Sequence, residues 1–337
     1  MQPQSEAELA ELVAGARGPL IIRGGGTRAV DRCDGEVLET AGLSGVVLYE
    51  PGALTLVARV GTPVADLDRL LAAERQRLAF EPPDQRDLLG RAGVSTIGGV
   101  AAANACGPRR VQVGAARDAL LGVRFVTGRG EVVKNGGRVM KNVTGYDLVK
   151  LLAGSHGTLG VLTEVSFKVQ AMPEAEATLV VEGMNDTAGL GLLRKALGSP
   201  YDISGAARVA GQSLIRVEGM AGSVAYRVQR LTDFLGGDIS FREGAASAAL
   251  WRDLRDVRAL VGQSGDLWRL AVVPTAAAEV VAATGGPAVF DWGGGLVWLV
   301  LPAGQDSAVR TAVAGKGIAV KWRGEGASAF APESAEV

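Results

Sequence analysis

Leu20-Ile21-Ile22-Arg23-Gly24-Gly25-Gly26-Thr27 runs from a short apolar strand straight into three consecutive glycines and a hydroxyl. A turn without Cβ atoms exposes several backbone N–H groups, and the threonine adds a side-chain donor, which together are equipment for holding a phosphate. Alone, the stretch is compatible with a structural turn, a Rossmann-type loop or the phosphate turn of another cofactor domain. Gly24-Gly25-Gly26-Thr27-Arg28-Ala29 satisfies the G-x-G-x-x-A pattern, and Glu50 ends a strand 26 residues after Gly24, near where a ribose-binding acid is wanted. The next segment decides against a Rossmann unit. Val30-Asp31-Arg32-Cys33-Asp34-Gly35 has no apolar periodicity and is interrupted by Gly35 and then Gly42, so no helix is predicted to point its N-terminus at a pyrophosphate. A Walker A loop is absent, since no glycine precedes Lys-Ser or Lys-Thr at the required spacing.

Outward from this turn, glycine remains the unusual residue: 48 of 337, about twice the usual share of roughly 7%, with no Gly-X-Y period. The excess is therefore local. A second cluster, Ser95-Thr96-Ile97-Gly98-Gly99, is followed by Asn104, Gly107, Gly114 and Asp118. A third, Gly154-Ser155-His156-Gly157-Thr158-Leu159-Gly160-Val161-Leu162-Thr163, feeds directly into an apolar strand. Three such turns in one half of the chain favour a dinucleotide more than any one of them does.

Composition narrows the rest. With 47% hydrophobic and 21% charged residues, the chain can bury a real core, and its length suggests about two domains at roughly 150 residues each. Thirty-five Lys plus Arg against 36 Asp plus Glu leave no basic surplus for a phosphate backbone, so nucleic acid is not an expected partner. Cys33 and Cys106 are too far apart for a CxxC pair, which leaves no disulfide framework, zinc ribbon or iron–sulfur ligand set. His156 is the single histidine, so a His-based triad or multi-His metal centre is excluded and no metal is expected. Chemistry in this chain would rest on a bound cofactor. The acidic start and the lack of an apolar run of about 18 residues predict neither a signal peptide nor a membrane span, and a reducing cytoplasm is the expected location.

The fold class expected is α+β in two domains. Residues 1–17 read as a short amphipathic helix with Leu9, Leu12 and Val13 on one side and Ser5 as N-cap. Strands are predicted at 20–23, 46–49 and 54–60, then a helix over 64–77. Gly128-Arg129-Gly130 joins two strands as a hairpin, a helix begins at 148–152, and a strand covers 161–169. Pro173 and Glu174-Ala175-Glu176 mark a boundary. Beyond it, strands at 178–181, 213–217, 269–273, 288–291 and 296–301 and helices at 188–197, 224–235, 248–257 and 306–314 suggest helices on one face of a sheet. The first domain is placed at 1–170, a smaller second domain at 175–325 and a poorly ordered tail at 326–337.

In their order, these motifs resemble the flavoproteins with a para-cresol methylhydroxylase-type FAD-binding domain, also called the vanillyl-alcohol oxidase family, across roughly the first 170 residues. The resemblance implies a pyrophosphate loop at Arg23, Gly24, Gly25, Gly26 and Thr27 and a second FAD stretch at Ser95, Thr96, Ile97, Gly98 and Gly99, with Asn104, Gly107, Gly114 and Asp118. It implies a third stretch at Gly157, Gly160, Val161 and Thr163. Within that family, Gly137-Arg138-Val139-Met140-Lys141-Asn142-Val143-Thr144-Gly145-Tyr146-Asp147-Leu148 resembles the segment of glycolate oxidase (glycolate dehydrogenase) subunits. The catalytic subunit of that complex is longer and carries substrate and metal histidines in its C-terminal part, whereas this chain has none after His156. It therefore looks like the smaller FAD-binding subunit, the E type, expected to work with a catalytic flavin subunit and an iron–sulfur subunit on a small 2-hydroxy acid. The complex would lie in the cytoplasm, with the inner face of the membrane reached through partners. In covalently flavinylated members a His near the first glycine loop holds the flavin. None stands near Gly24 here, which implies noncovalent FAD.

No catalytic residue is assigned. Lys141, Tyr146 and Asp147 suit either a proton-handling set beside a flavin or a loop whose Asp147 caps the helix at Leu148. Arg109 and Arg110 suit either a carboxylate or phosphate contact or an exposed loop. Trp251, Trp268, Trp292, Trp298 and Trp322 fit core packing or a partner interface better than a pocket over the flavin. Two alternatives stay open beside the glycolate reading: a noncatalytic subunit that holds FAD as an electron relay, and a standalone flavin oxidoreductase on a sugar-type substrate.

Overall fold

The computed structural model describes residues 1–28, 34–137 and 145–325. The segment 138–144, with Lys141 and Asn142, and the expected tail at 326–337 lie outside the described residues. The chain divides into two compact units, one of residues 1–86, 90–107 and 113–172, the other of 87–89, 108–112 and 173–337. Both mix helix and strand, as an α+β chain should.

The first unit carries strands β1 (Leu20–Arg23), β2 (Glu36–Glu39), β3 (Val46–Glu50), β4 (Thr55–Arg59), β5 (Gln76–Arg77), β6 (Leu120–Val126), β7 (Val132–Gly136), β8 (Val161–Lys168) and β9 (Gln170–Ala171). Helix α1 (Glu6–Gly15) starts where Ser5 Oγ accepts the Glu8 amide at 3.2 Å, as the sequence indicated. The antiparallel sheet β3-β4-β8-β6-β7 is the backbone of this unit, while β1 and β2 form a separate parallel pair. That antiparallel order is incompatible with a doubly wound Rossmann sheet. Leu56, Ala58, Val165 and Phe167 are buried in the core, where Phe80 and Phe167 pack with ring centroids 5.4 Å apart.

Two boundaries differ from expectation for backbone reasons. The helix over 64–77 is α2 (Val64–Ala73) and stops early because Arg75 turns left-handed at φ 53°, releasing the chain into β5. The strand expected from Leu54 starts one residue later, since Leu54 is the left-handed cap (φ 51°) of a short 3-10 turn at Pro51–Ala53. Short helices α3 (Arg86–Leu89), α4 (Ile97–Ala102), α5 (Arg110–Val113), α6 (Ala116–Ala119) and α7 (Leu148–Leu152) complete this part of the chain.

The second unit is built on one antiparallel eight-stranded sheet. Its strands are β10 (Ala175–Val181), β11 (Gly205–Val209), β12 (Gln212–Gly219), β13 (Ser240–Glu243), β14 (Asp266–Val272), β15 (Ala288–Asp291), β16 (Leu296–Leu301) and β17 (Gly317–Arg323), in spatial order β13-β10-β12-β11-β15-β16-β14-β17. Its helices are α8 (Asp186–Leu197), α9 (Ala221–Leu235), α10 (Gly244–Arg255), α11 (Ala277–Thr284) and α12 (Asp306–Val313). The expectation of helices on one face needs correction. Leu179, Ile215 and Leu270 join a core with residues of α8, α9, α11 and α12, whereas the alternate residues Val180, Leu214 and Leu267 join a second core with Trp251 and Leu254 of α10. A strand with period two and two covered faces reads as a continuous apolar run, so periodicity alone does not reveal how many helices lie on each side.

The tryptophans serve this core. Trp268, Trp251 and Trp298 are all buried, Trp298 meets Trp322 edge-on at 5.1 Å, and Trp251 Nε1 donates to Thr178 Oγ1 at 2.7 Å. Gly293 and Gly294 sit in the turn between the antiparallel strands β15 and β16, as the hairpin reading required.

Two measurements check this packing. Phe167→Ala removes a buried ring and is expected to cost the first unit about 3–5 kcal/mol in urea unfolding. The second concerns Glu6, whose carboxylate accepts from Arg124 Nε at 3.1 Å and from Thr163 Oγ1 at 2.6 Å. The Arg124 guanidinium, opposed by partial burial and helped by the Thr163 hydroxyl, holds the Glu6 carboxyl below the usual glutamate value. Its contribution to stability is therefore present at neutral pH and is lost as pH falls below the ordinary glutamate range through the depressed folded value. Glu6→Gln should lower the melting temperature at neutral and alkaline pH and converge with the wild type in acid, flattening the acid limb of a thermal-melt profile.

Candidate cofactor site

The β1–β2 ladder ends at Arg23↔Glu39, so the amides of Gly24, Gly25 and Gly26 lie beyond its last rung and are not spent on strand pairing. The turn leans against the second glycine cluster. A Cβ on Gly25 would overlap the Val94 carbonyl oxygen, and one on Gly93 would overlap the carbonyl of Gly25, so the two segments touch backbone to backbone. Arg28 ties them from behind, its Nη1 donating to Ser95 Oγ at 2.7 Å and its Nη2 to the Pro83 carbonyl.

The second cluster is a helix start that the sequence did not announce. Thr96 is the N-cap of α4, its Oγ1 accepting the Gly99 amide at 3.3 Å. The amides of Ile97 and Gly98 donate to Thr62 O at 3.0 Å and Val60 O at 2.8 Å. A Cβ on Gly98 would stand 2.5 Å from that of Val60. Gly98 is thus required by close packing of α4 on the chain that follows β4, a role distinct from presenting an amide to a ligand.

The third cluster packs on the same framework. The His156 amide donates to Ala102 O at 2.9 Å, and Gly157 (φ 84°) lies against Ile22 of β1. His156 itself is exposed. Gly160 fits against Phe125 and the Val126 carbonyl, Val161 pairs with Val126, and Thr163 gives its hydroxyl to Glu6. Asn104 (φ 46°) accepts the Arg117 amide at 2.9 Å, the Gly107 amide donates to Phe80 O, and Gly114 precedes a turn closed by Asp118 Oδ2 on the Ala115 amide at 2.8 Å.

A cleft of about 690 Å3 opens between the first turn and the second wall. Of the residues expected to hold a cofactor, Arg23, Gly24, Gly25, Gly26 and Thr96 line it; the others brace its walls or lie elsewhere in the first unit. The sequence reading missed Glu39, Gly61, Arg91 and Gly93, which also line it. Gly93 had a usable signal, being one more glycine just before the second cluster, but Glu39 and Arg91 had none without the pairing of β1 and β2. Amides beyond the ladder, a glycine turn seated against the facing wall and arginines at the rim fit a dinucleotide's phosphates.

Residues with a second reading separate clearly. Asp147 caps α7, its Oδ1 accepting the Lys150 amide at 3.1 Å, and Tyr146 is 89% exposed. Arg109 is buried in the second unit with Nε 3.2 Å from Glu218 Oε2, and Arg110 lies over the Trp292 ring at 4.8 Å. Arg109 therefore does not match an exposed loop arginine, whereas Arg110 is exposed, at the first residue of α5.

Comparison with known proteins agrees with this geometry. The model of the FAD binding domain family matches residues 1–136. The glycolate oxidase subunit GlcE of Escherichia coli is 35% identical over 325 residues, covering 94% of this chain and 85% of that protein. The glycolate oxidase subunit GlcD of Bacillus subtilis is 36% identical over 171 residues, or 49% of this chain and 34% of that one. Among solved structures, an alkyldihydroxyacetonephosphate synthase superposes with a TM-score of 0.68 at 17% identity, over 94% of this chain and 71% of that chain, which shows a shared fold. The chain belongs to the flavoprotein family with the para-cresol methylhydroxylase-type FAD-binding domain, a family of FAD-dependent oxidoreductases, on the branch of the glycolate oxidase subunit GlcE.

Proposed function

We propose that this chain is the FAD-binding subunit of a glycolate, or closely similar 2-hydroxy acid, dehydrogenase complex and works with a catalytic flavin subunit and an iron–sulfur subunit. The observation that carries the reading is the similarity to GlcE along nearly the whole of both chains, through the second unit as well as the FAD-binding segment. The partial match to GlcD, which covers about half of this chain, fits a division of labour between two related flavin subunits.

In this reading the first unit does the binding. The amides of Gly24 to Gly26 take the FAD phosphates, the buried Thr27 closes the turn behind them, Arg23 supplies charge, and Thr96 holds the facing wall in place by capping α4. The remaining residues of the three clusters shape this cradle and the approach to it. FAD, when bound, supplies two-electron acceptance from the C–H bond of the hydroxy acid and onward release of electrons. With no histidine near the glycine turn, the flavin is held noncovalently, and the complex reaches a membrane only through partners.

One feature favours a second reading. His156 is the only histidine in the chain, so the second unit has none to take a proton from a hydroxy acid. A relay subunit that holds FAD without oxidising substrate would need none. Anaerobic spectra of the purified chain separate the two: flavin bleached by glycolate or D-lactate supports an enzyme, while flavin bleached by dithionite alone supports the relay. A colourless chain that takes up no added FAD overturns both.

Two further outcomes are expected. Denaturation in acid should release all of the flavin into the filtrate, and flavin retained on the polypeptide would contradict noncovalent binding. Gly25→Val, which drives a side chain into the Val94 carbonyl, should give protein with less than about a tenth of the wild-type flavin content, read from visible absorbance.

A further inference from the structure

Three arginines surround the glycine turn, and their bonding separates their roles. Arg28 is buried and committed to the second wall through Ser95 and Pro83. Arg23 lines the cleft, but Glu39 on the neighbouring strand lies 3.7 Å away and offsets part of its charge. Arg91 lines the cleft from the opposite wall, is exposed, and among the described residues pairs with no carboxylate. Its Nη1 makes only a long 3.5 Å contact with the carbonyl of Gly26.

The backbone that carries Arg91 is braced. The Arg91 amide donates to Arg86 O at 2.9 Å. Arg86, its charge taken up by Asp84 through contacts of 2.9 Å from Nε and 2.6 Å from Nη2, donates Nη1 to Gly93 O at 3.0 Å. That guanidinium holds the Asp84 carboxyl below the usual aspartate value, so the Asp84–Arg86 pair stays ionised and closed at neutral pH. The wall is thus fixed while the head group of Arg91 is engaged only by a weak carbonyl contact across the cleft. A phosphate oxygen offers a guanidinium a shorter, charge-assisted hydrogen bond than a carbonyl at 3.5 Å does.

We propose that Arg91 is the residue that reads the phosphate charge of the dinucleotide from the wall facing the glycine turn, and that Glu39 weakens the same interaction by holding Arg23. The inference rests on the FAD reading above and assigns two positions to it that the glycine motifs do not contain. Arg91 binds and selects; it takes no part in the redox step.

FAD titration of the flavin-stripped full chain, followed by quenching of flavin fluorescence at low and high salt, tests it. Arg91→Gln should weaken binding about tenfold at low salt, the affinities of variant and wild type converging as salt screens the charge. Arg91→Lys should recover part of the loss. Glu39→Gln should tighten binding, about two- to threefold, because it releases Arg23. Arg91 is exposed, so the thermal midpoint of Arg91→Gln should match the wild type; a lowered midpoint with salt-independent weakening would mean a structural role and overturn the proposal. Unchanged affinity in Arg91→Gln would overturn it while leaving the FAD reading intact. A wild-type chain that binds no FAD would overturn both.

Discussion

The cofactor site depends on one contact: the backbone of Gly25 against the backbone of Gly93 and Val94. A side chain on Gly25 or Gly93 would overlap a carbonyl oxygen, so this approach is available to glycine alone. It brings the turn after β1 against the segment that leads into α4. The Thr96 cap and the seating of Gly98 on Val60 then fix where that segment goes. Much of the glycine excess in the first unit has this origin. The glycines let chain segments approach one another, and the cleft is a consequence of where they stop.

This explains how much of the site was legible in the sequence. The glycine clusters were visible, and their common use was inferable from their order. Which atoms face the cleft was not, because Gly98 and Gly157 are as conspicuous in the sequence as Gly24, yet they pack on Val60 and Ile22. Glu39 and Arg91 are ordinary charged residues until β2 is laid parallel to β1 and the second wall is folded over the turn. The FAD reading therefore came from pattern, and the separation of cradle from scaffold came from geometry.

The fold was legible to a similar extent and failed for similar reasons. Elements with long apolar runs, such as β8, β15 and β16, were placed within a residue or two, and for α1 the Ser5 cap was read correctly. Helix α4 was missed because two glycines in six residues argue against helix, and only the Thr96 cap and tertiary seating offset that cost. Strand β13, whose four residues are all exposed, lies at a sheet edge and has no buried face to impose alternation. In the second unit, a sheet covered on both sides hid the presence of α10 on its other face.

If the glycine turn and the wall before α4 form one cradle for one FAD, the two segments must respond to the cofactor together. Hydrogen–deuterium exchange of the purified chain with and without FAD measures this directly. FAD should slow exchange together at the amides of 24–27 and 91–96, with little change on the buried strands β4 and β8. Protection confined to one of those segments, or absent from both while FAD is bound, would contradict it.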